Sequence, residues 1–247
     1  MLRKITPLIT IALLIQLPIL ISSSPAQTKA SNIIEAGSFA KEQNGLPIGW
    51  EHKELKGKNT YTLVDDMGAK VLKAESKSAA SGLFKQVNID PKQYPLVSGQ
   101  WKVTRLPNNA DERKKSGDDC AARTFVIFED SLPNASSYSK LKHKLATTFS
   151  SFVPTGVAIC YVWGNKLSKD QDIESPFTDW VRIVAVESGT DKLGQWVTIE
   201  RNVYEDFKKI YGTEPKKIIA VGVMTDSDQT KDSITTYYKD IVFKSKP

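Results

Sequence analysis

The hydrophobic pattern divides this chain into short runs with a two-residue period. Over residues 120–128 both pleat faces are apolar, with Ala121, Phe125 and Ile127 on one and Ala122, Val126 and Phe128 on the other. Residues 156–163, GVAICYVW, are apolar on both faces as well. Such runs belong in the middle of a sheet, between two layers. Residues 83–89 alternate Leu83, Lys85, Val87 and Ile89 with Phe84, Gln86 and Asn88, and in residues 99–106 Trp101 and Val103 share a face. Residues 61–64 and 71–74 read as a hairpin around Asp65-Asp66-Met67-Gly68. Residues 179–187, 195–200, 218–224 and 237–243 read as further strands, with Gly189 and Gly194 in one of the turns between.

One segment has a clear helical period. Asn202 can cap it, Glu205 adds the acid of a capping box, Val203, Phe207 and Ile210 share a face, and Gly212 ends it. Residues 136–152 place Leu141, Leu145, Phe149 and Phe152 at helical spacing and read as a short capping helix or a disordered excursion. About ten short strands with turn signals between them predict an all-β sandwich or barrel with one or two helices in loops. No composition break follows residue 33, so residues 34–247 read as a single domain behind a leader at 27–33.

The first 26 residues change the compartment. Arg3 and Lys4 precede an apolar run over residues 8–21, and Ser24 and Ala26 are small residues before a cut. That order is a secretory signal, and the run is short of the roughly 20 residues a span needs. An exported, periplasmic or extracellular protein is expected. Removing residues 1–26 takes two basic groups and no acids, so a net charge of +6 becomes +4. The remaining lysines occur as scattered pairs such as Lys114–Lys115. They predict a solvated surface and no nucleic-acid partner. Cys120 and Cys160 either form a disulfide between strands or remain buried thiols.

The chain lacks G-x-S-x-G, H-E-x-x-H, P-loop and G-x-G-x-x-G signatures, and its two histidines, His52 and His143, have no partner at metal spacing. Its acids are more informative. Asp118 and Asp119 precede one central strand, and Asp226 and Asp228 follow another. Three readings apply: solvated turn acids, a site for sugar hydroxyls or Ca²⁺, or a paired-carboxylate hydrolase. The EF-hand pattern fails at Lys231, where glycine is required. Arg123 lies in an apolar strand and needs a partner, with Asp119, Asp226 or Asp228 the candidates. Among five tryptophans, Trp163 and Trp180 flank the polar 164–179 loop and are the candidate sugar platforms.

The runs LPNNADERKKSGDDCAARTFVIFE, YVWGN, SGTDKLGQWVTIERNVYEDFKKIYG and IIAVGVMTDSDQTKDS, with TYYKDIVF, resemble an exported bacterial family known only as a domain of unknown function, over most of residues 36–243. That family carries no activity to transfer. The LPIGW opening and the Asp-Ile-x-Phe closing strand are similar in outline to galactose-binding-like and carbohydrate-binding sandwiches. The resemblance implies a jelly-roll-like sandwich. It also implies a structural Ca²⁺ bridging first and last strands, with Asp240 as ligand and residues 35–38 as its neighbours. The cysteines at 120 and 160 depart from the family pattern, so a disulfide would be local to this chain. The expected role is non-enzymatic binding of a carbohydrate or envelope component, and the alternatives are a hydrolase using the paired aspartates or a structural partner in envelope assembly.

Overall fold

The computed structural model describes residues 32–129 and 156–246; the signal segment 1–26, the leader to residue 31 and the ambiguous 136–152 stretch lie outside the described residues. The fold is all-β and jelly-roll-like. One sheet runs β13(Val197–Asn202)–β8(Leu96–Val103)–β15(Ser233–Lys244)–β6(Ala69–Lys77)–β5(Thr60–Asp66), with β1(Ile33–Gly37) also paired to β15. The second runs β11(Asp172–Ser175)–β12(Thr178–Ser188)–β10(Ala158–Gly164)–β9(Arg123–Phe128)–β14(Ile218–Asp226)–β7(Ala80–Ile89)–β4(Glu51–Lys56). A two-stranded ribbon, β2(Glu42–Gln43) with β3(Leu46–Pro47), leads into Trp50.

The strands apolar on both faces are central, as their pattern requires. Every residue of β10 is buried. Tyr161 and Trp163 point between the sheets, and Trp163 meets Trp101 of the opposite sheet with ring centroids 6.4 Å apart. Cys160 and Val162 point the other way, into a second cluster with Cys120, Leu167, Ile183 and Ala185. Hydroxyls cross the gap between the sheets. Tyr238 Oη donates to Met224 O at 2.6 Å and Thr236 Oγ1 to Ala121 O at 2.6 Å, while Thr225 Oγ1, on β14 of the sheet that Ala121 leads into, donates to that carbonyl at 2.9 Å. Buried backbone carbonyls near the rim are thereby satisfied without water.

The hairpin and the helix form where their local signals stand. Met67 and Gly68 both have positive φ, which suits the two-residue turn between β5 and β6. Helix α1(Val203–Tyr211) is capped by Asn202, whose side chain accepts from Glu205 N at 3.1 Å, and ends at Gly212 in the left-handed region. Five strands escaped the pattern: β1, the β2–β3 ribbon, β4 and β11. β4, EHKELK, is a charged edge strand with no apolar alternation, a composition that blunts an open edge. β11 lies within the 164–179 stretch, so that stretch is partly sheet and only partly loop. Among the described residues no helix is long and apolar enough to cross a membrane.

Candidate functional site

The chain brings Asp118, Asp119, Arg123, Asp226 and Asp228 together at one rim of the seven-stranded sheet. All five are buried: 6%, 0%, 5%, 3% and 5% exposed. That overturns the reading of solvated turn acids. Arg123 donates from Nε to Asp226 Oδ1 at 2.8 Å and from Nη2 to Asp226 Oδ2 at 2.9 Å. The same Nη2 reaches Asp118 Oδ1 at 2.9 Å and Asp118 O at 2.8 Å. Its carboxylate partners are therefore Asp226 and Asp118. Asp119 holds a different loop, accepting from Gln229 N at 3.1 Å and Thr230 N at 2.6 Å, while Asp228 accepts from Gln229 Nε2 at 2.7 Å.

Burial decides the electrostatics here. It pushes Asp226 up to about 7 against the pull of Arg123, and it raises Asp118 as well. Burial also opposes the charge on Arg123, but Asp118 and Asp226 outweigh it and hold the guanidinium above its ordinary value. Glu112, fully buried, extends the knot: Oε1 accepts from Asn165 N and Nδ2, and Oε2 accepts from Lys166 N at 3.1 Å. It sits inside the charged run DERKKS, which looks solvated in the sequence, so no local signal marks it.

Asp119, Asp226 and Asp228 each offer a carboxylate oxygen within 4.8 Å of the others, close enough to hold a cation. The fit is poor. Both Asp226 oxygens already face Arg123, both Asp119 oxygens face backbone N–H groups, and Lys56 Nζ lies 3.4 Å from Asp228 Oδ2. A guanidinium already supplies the positive charge. The calcium position implied at Asp240 gains no support either. First and last strands do pair, β1 with β15, but Asp240 is exposed and accepts from Phe39 N at 3.2 Å, and it is not in the described carboxylate group. Cys120 and Cys160 are free and buried; of the two readings, the structure has the thiols.

The tryptophan expectation is corrected. Trp163 is 0% exposed, with Nε1 donating to Gly189 O at 2.9 Å, and Trp180 is 6% exposed within the main core. Neither can receive a sugar ring. Two partly exposed aromatics, Trp196 and Tyr237, lie on the outer face of the six-stranded sheet, whereas Phe177, 48% exposed, lies in the turn between β11 and β12. Trp101 and Val103 point into the core, so Lys102 between them points out. Tyr238 points in, so Tyr237 and Lys239 point out. Register sets Lys102 beside Tyr237, Tyr237 beside Lys73, and Gln100 between Lys239 and Thr198. Trp196 stands just before β13 and is half-buried, as is Tyr237.

This face is concave. In a flat sheet β5 would lie three strand spacings, about 14 Å, from β8. Yet Asp66 Oδ2, at the end of β5, accepts from Lys102 Nζ at 2.7 Å and from Trp196 Nε1 at 2.7 Å. The edge hairpin must curl over the outer face to make both contacts. Lys102 Nζ also lies 4.6 Å from the Tyr237 ring centroid and 5.2 Å from that of Trp196. The bonds from Lys102 and Trp196 hold the Asp66 carboxyl below the usual range. Gln100 Nε2 donates to Thr198 Oγ1 at 3.0 Å, and Lys239 has no ion-pair partner among the described residues.

Among solved structures, the enzymatically active domain of tailspike protein 4 of bacteriophage CBA120 is similar at 10% identity and TM-score 0.44, over 86% of this chain and 22% of that one. The family 30 carbohydrate-binding module of a cellulosomal cellulase of Clostridium thermocellum is similar at 10% identity and TM-score 0.43, over 87% of this chain and 98% of that one. A xylan-binding domain from Paenibacillus barcinonensis is similar at 11% identity and TM-score 0.33, over 85% of this chain and 92% of that one. No curated protein matches in sequence. The family model described as "Protein of unknown function (DUF3047)" matches residues 48–242, and the chain belongs to that family.

Proposed function

We propose that this is an exported, non-enzymatic protein that binds a carbohydrate, from the cell envelope or its surroundings, on the concave face of the six-stranded sheet. One observation carries the reading: Trp196 and Tyr237 are partly exposed on the curved outer face, with Lys102, Gln100, Thr198 and Lys239 beside them. Aromatic rings offer apolar surface to sugar C–H groups, and the amide, hydroxyl and ammonium groups meet sugar hydroxyls. Export rests on the order of basic, apolar and small residues in positions 1–26. The hydrolase alternative loses its supporting feature, because the paired aspartates are buried against Arg123 and backbone N–H groups. A glycan array probed with the wild type, Trp196→Ala and Tyr237→Ala, each with and without chelator, tests the proposal. Binding by the wild type that either variant abolishes, with melting temperature kept, is the expected result. An array without signal would leave the envelope-assembly role as the surviving reading.

A further inference from the structure

We propose that Lys102, Trp196 and Tyr237 form a cradle for the carboxylate of an acidic, uronate-containing glycan, and that Asp66 occupies this cradle in the free protein. The inference rests on the concave face being the glycan-binding surface, and it names the class of glycan.

Two donors of different kinds converge on one oxygen. The Lys102 ammonium and the Trp196 indole N–H each lie 2.7 Å from Asp66 Oδ2. An ammonium and an indole N–H beside a second aromatic ring suit a sugar carboxylate whose ring stacks alongside. The carboxylate now in place belongs to the end of an edge strand. It is followed by the Met67-Gly68 turn, and Met67 is 89% exposed. Lifting Asp66 away disturbs an exposed turn and leaves the core intact.

Charge decides the class of ligand. Once Asp66 leaves, the partly buried Lys102 and the indole N–H need a replacement acceptor, and for the ammonium a neutral hydroxyl replaces a charge poorly. A carboxylate restores the interaction charge for charge. A neutral glycan can lie beside the closed cradle but gains nothing by opening it. Lys239, on the neighbouring strand, pairs in register with Gln100, two residues from Lys102. Two residues along a strand are about 7 Å, so Lys239 can meet a second carboxylate on the same polymer. The excess of basic over acidic residues, +6 over the whole sequence and +4 once residues 1–26 are removed, favours approach of a polyanion.

The test is calorimetric titration of the wild type, Asp66→Asn, Asp66→Ala and Lys102→Met with oligogalacturonate, a neutral cello-oligosaccharide and dextran sulfate, with circular dichroism as the folding control. Intrinsic tryptophan fluorescence follows the indole. The expected pattern is oligogalacturonate preferred by the wild type, about tenfold tighter binding when Asp66 no longer competes, loss of binding in Lys102→Met, and a fluorescence change on titration. Asp66→Asn covers the case in which Asp66→Ala fails to fold. Equal binding of neutral and acidic oligosaccharides overturns this inference and leaves the proposed function standing. So does weaker binding in the folded Asp66 variants. Equal or tighter binding of dextran sulfate replaces carboxylate recognition with general polyanion attraction. No binding of any saccharide overturns both.

Discussion

Arg123 holds Asp226 through two parallel hydrogen bonds, 2.8 and 2.9 Å long, from one buried strand to the next. The third bond of this set, to Asp118 at 2.9 Å, ties the loop before β9 to the same cation. Two carboxylates thus share one guanidinium inside the fold. Breaking a buried pair by removing one partner leaves an uncompensated charge and costs about 3–5 kcal/mol. Arg123→Met is expected to lose that much, read as a lower urea midpoint at unchanged slope. Glycan binding by the fraction that stays folded should persist, because Arg123 is absent from the concave face. An unchanged midpoint would remove the structural role given to this pair.

The pH dependence of stability has a definite sign. Asp226 has a folded pKa of about 7, above its ordinary 3.8, so the folded state binds the extra proton. Its contribution is fully present below about pH 4 and is lost as pH rises through 7. Asp111 and Asp232 run the other way. Asp111 is held at about 2, chiefly by a hydrogen bond from Arg113; Asp232 is held at about 2 because Arg105 and two backbone N–H groups outweigh its burial. Stability from these two is lost as pH falls from about 4 through 2. His52 is lowered, first by burial and then by Lys58, and favours higher pH through its own range. Melting temperatures across pH 4–8 for the wild type and Asp226→Asn isolate the aspartate. The wild type should show the steeper decline toward pH 8, and matching curves would count against it.

The thiols should be silent in the folded protein. Burial pushes Cys160 up to about 12 and raises Cys120 too, so neither supplies thiolate near pH 7. Iodoacetamide should label neither residue natively and both in denaturant. Mass spectrometry gives the count, and no label in denaturant without reductant would mean a bridge.

Gly164 ends β10 with its Cα facing the Leu167 carbonyl so closely that any Cβ would collide with it. Gly164→Ala should destabilise by about 1–3 kcal/mol, the range for forcing extra volume into a packed site. The neighbouring Asn165 carries the bonds to Glu112, so the shift would also loosen the rim. Thermal unfolding measures both, and Glu112→Gln in the same background should add less than the sum of the two single changes.

Much of the architecture was legible from local pattern. The apolar faces of residues 120–128 and 156–163 placed β9 and β10 at the centre, and Asn202 and Gly212 marked the helix ends. The need to neutralise Arg123 pointed to Asp119, Asp226 or Asp228, because a buried charge has few ways to persist; of these only Asp226 is a partner, and Asp118, which was not among the candidates, is the other. Other features depend on contacts distant in sequence. Glu112 meets Asn165 across 53 positions, and nothing in DERKKS announces that. The choice of Trp163 and Trp180 followed the polarity of the adjoining stretch when strand parity was the better guide. Trp163 shares its parity with Ile159 and Tyr161, and all three face the core. The same rule places Trp196 and Thr198 opposite Ile199, on the open side.

Strand β15 lies between β8 on one side and β6 and β1 on the other. Until residues 233–244 are made, β8 with β13 and the β5–β6 hairpin have no shared neighbour strand, and β1 no pairing strand, among the described residues. A ribosome delivers those residues after every other strand of the sandwich. Closure of the core therefore waits for residues 233–244, and a nascent chain that has not yet reached them carries two half-sheets with open hydrogen-bonding edges. Such intermediates are prone to aggregate, so this architecture ties the safety of the growing polypeptide to one strand, β15.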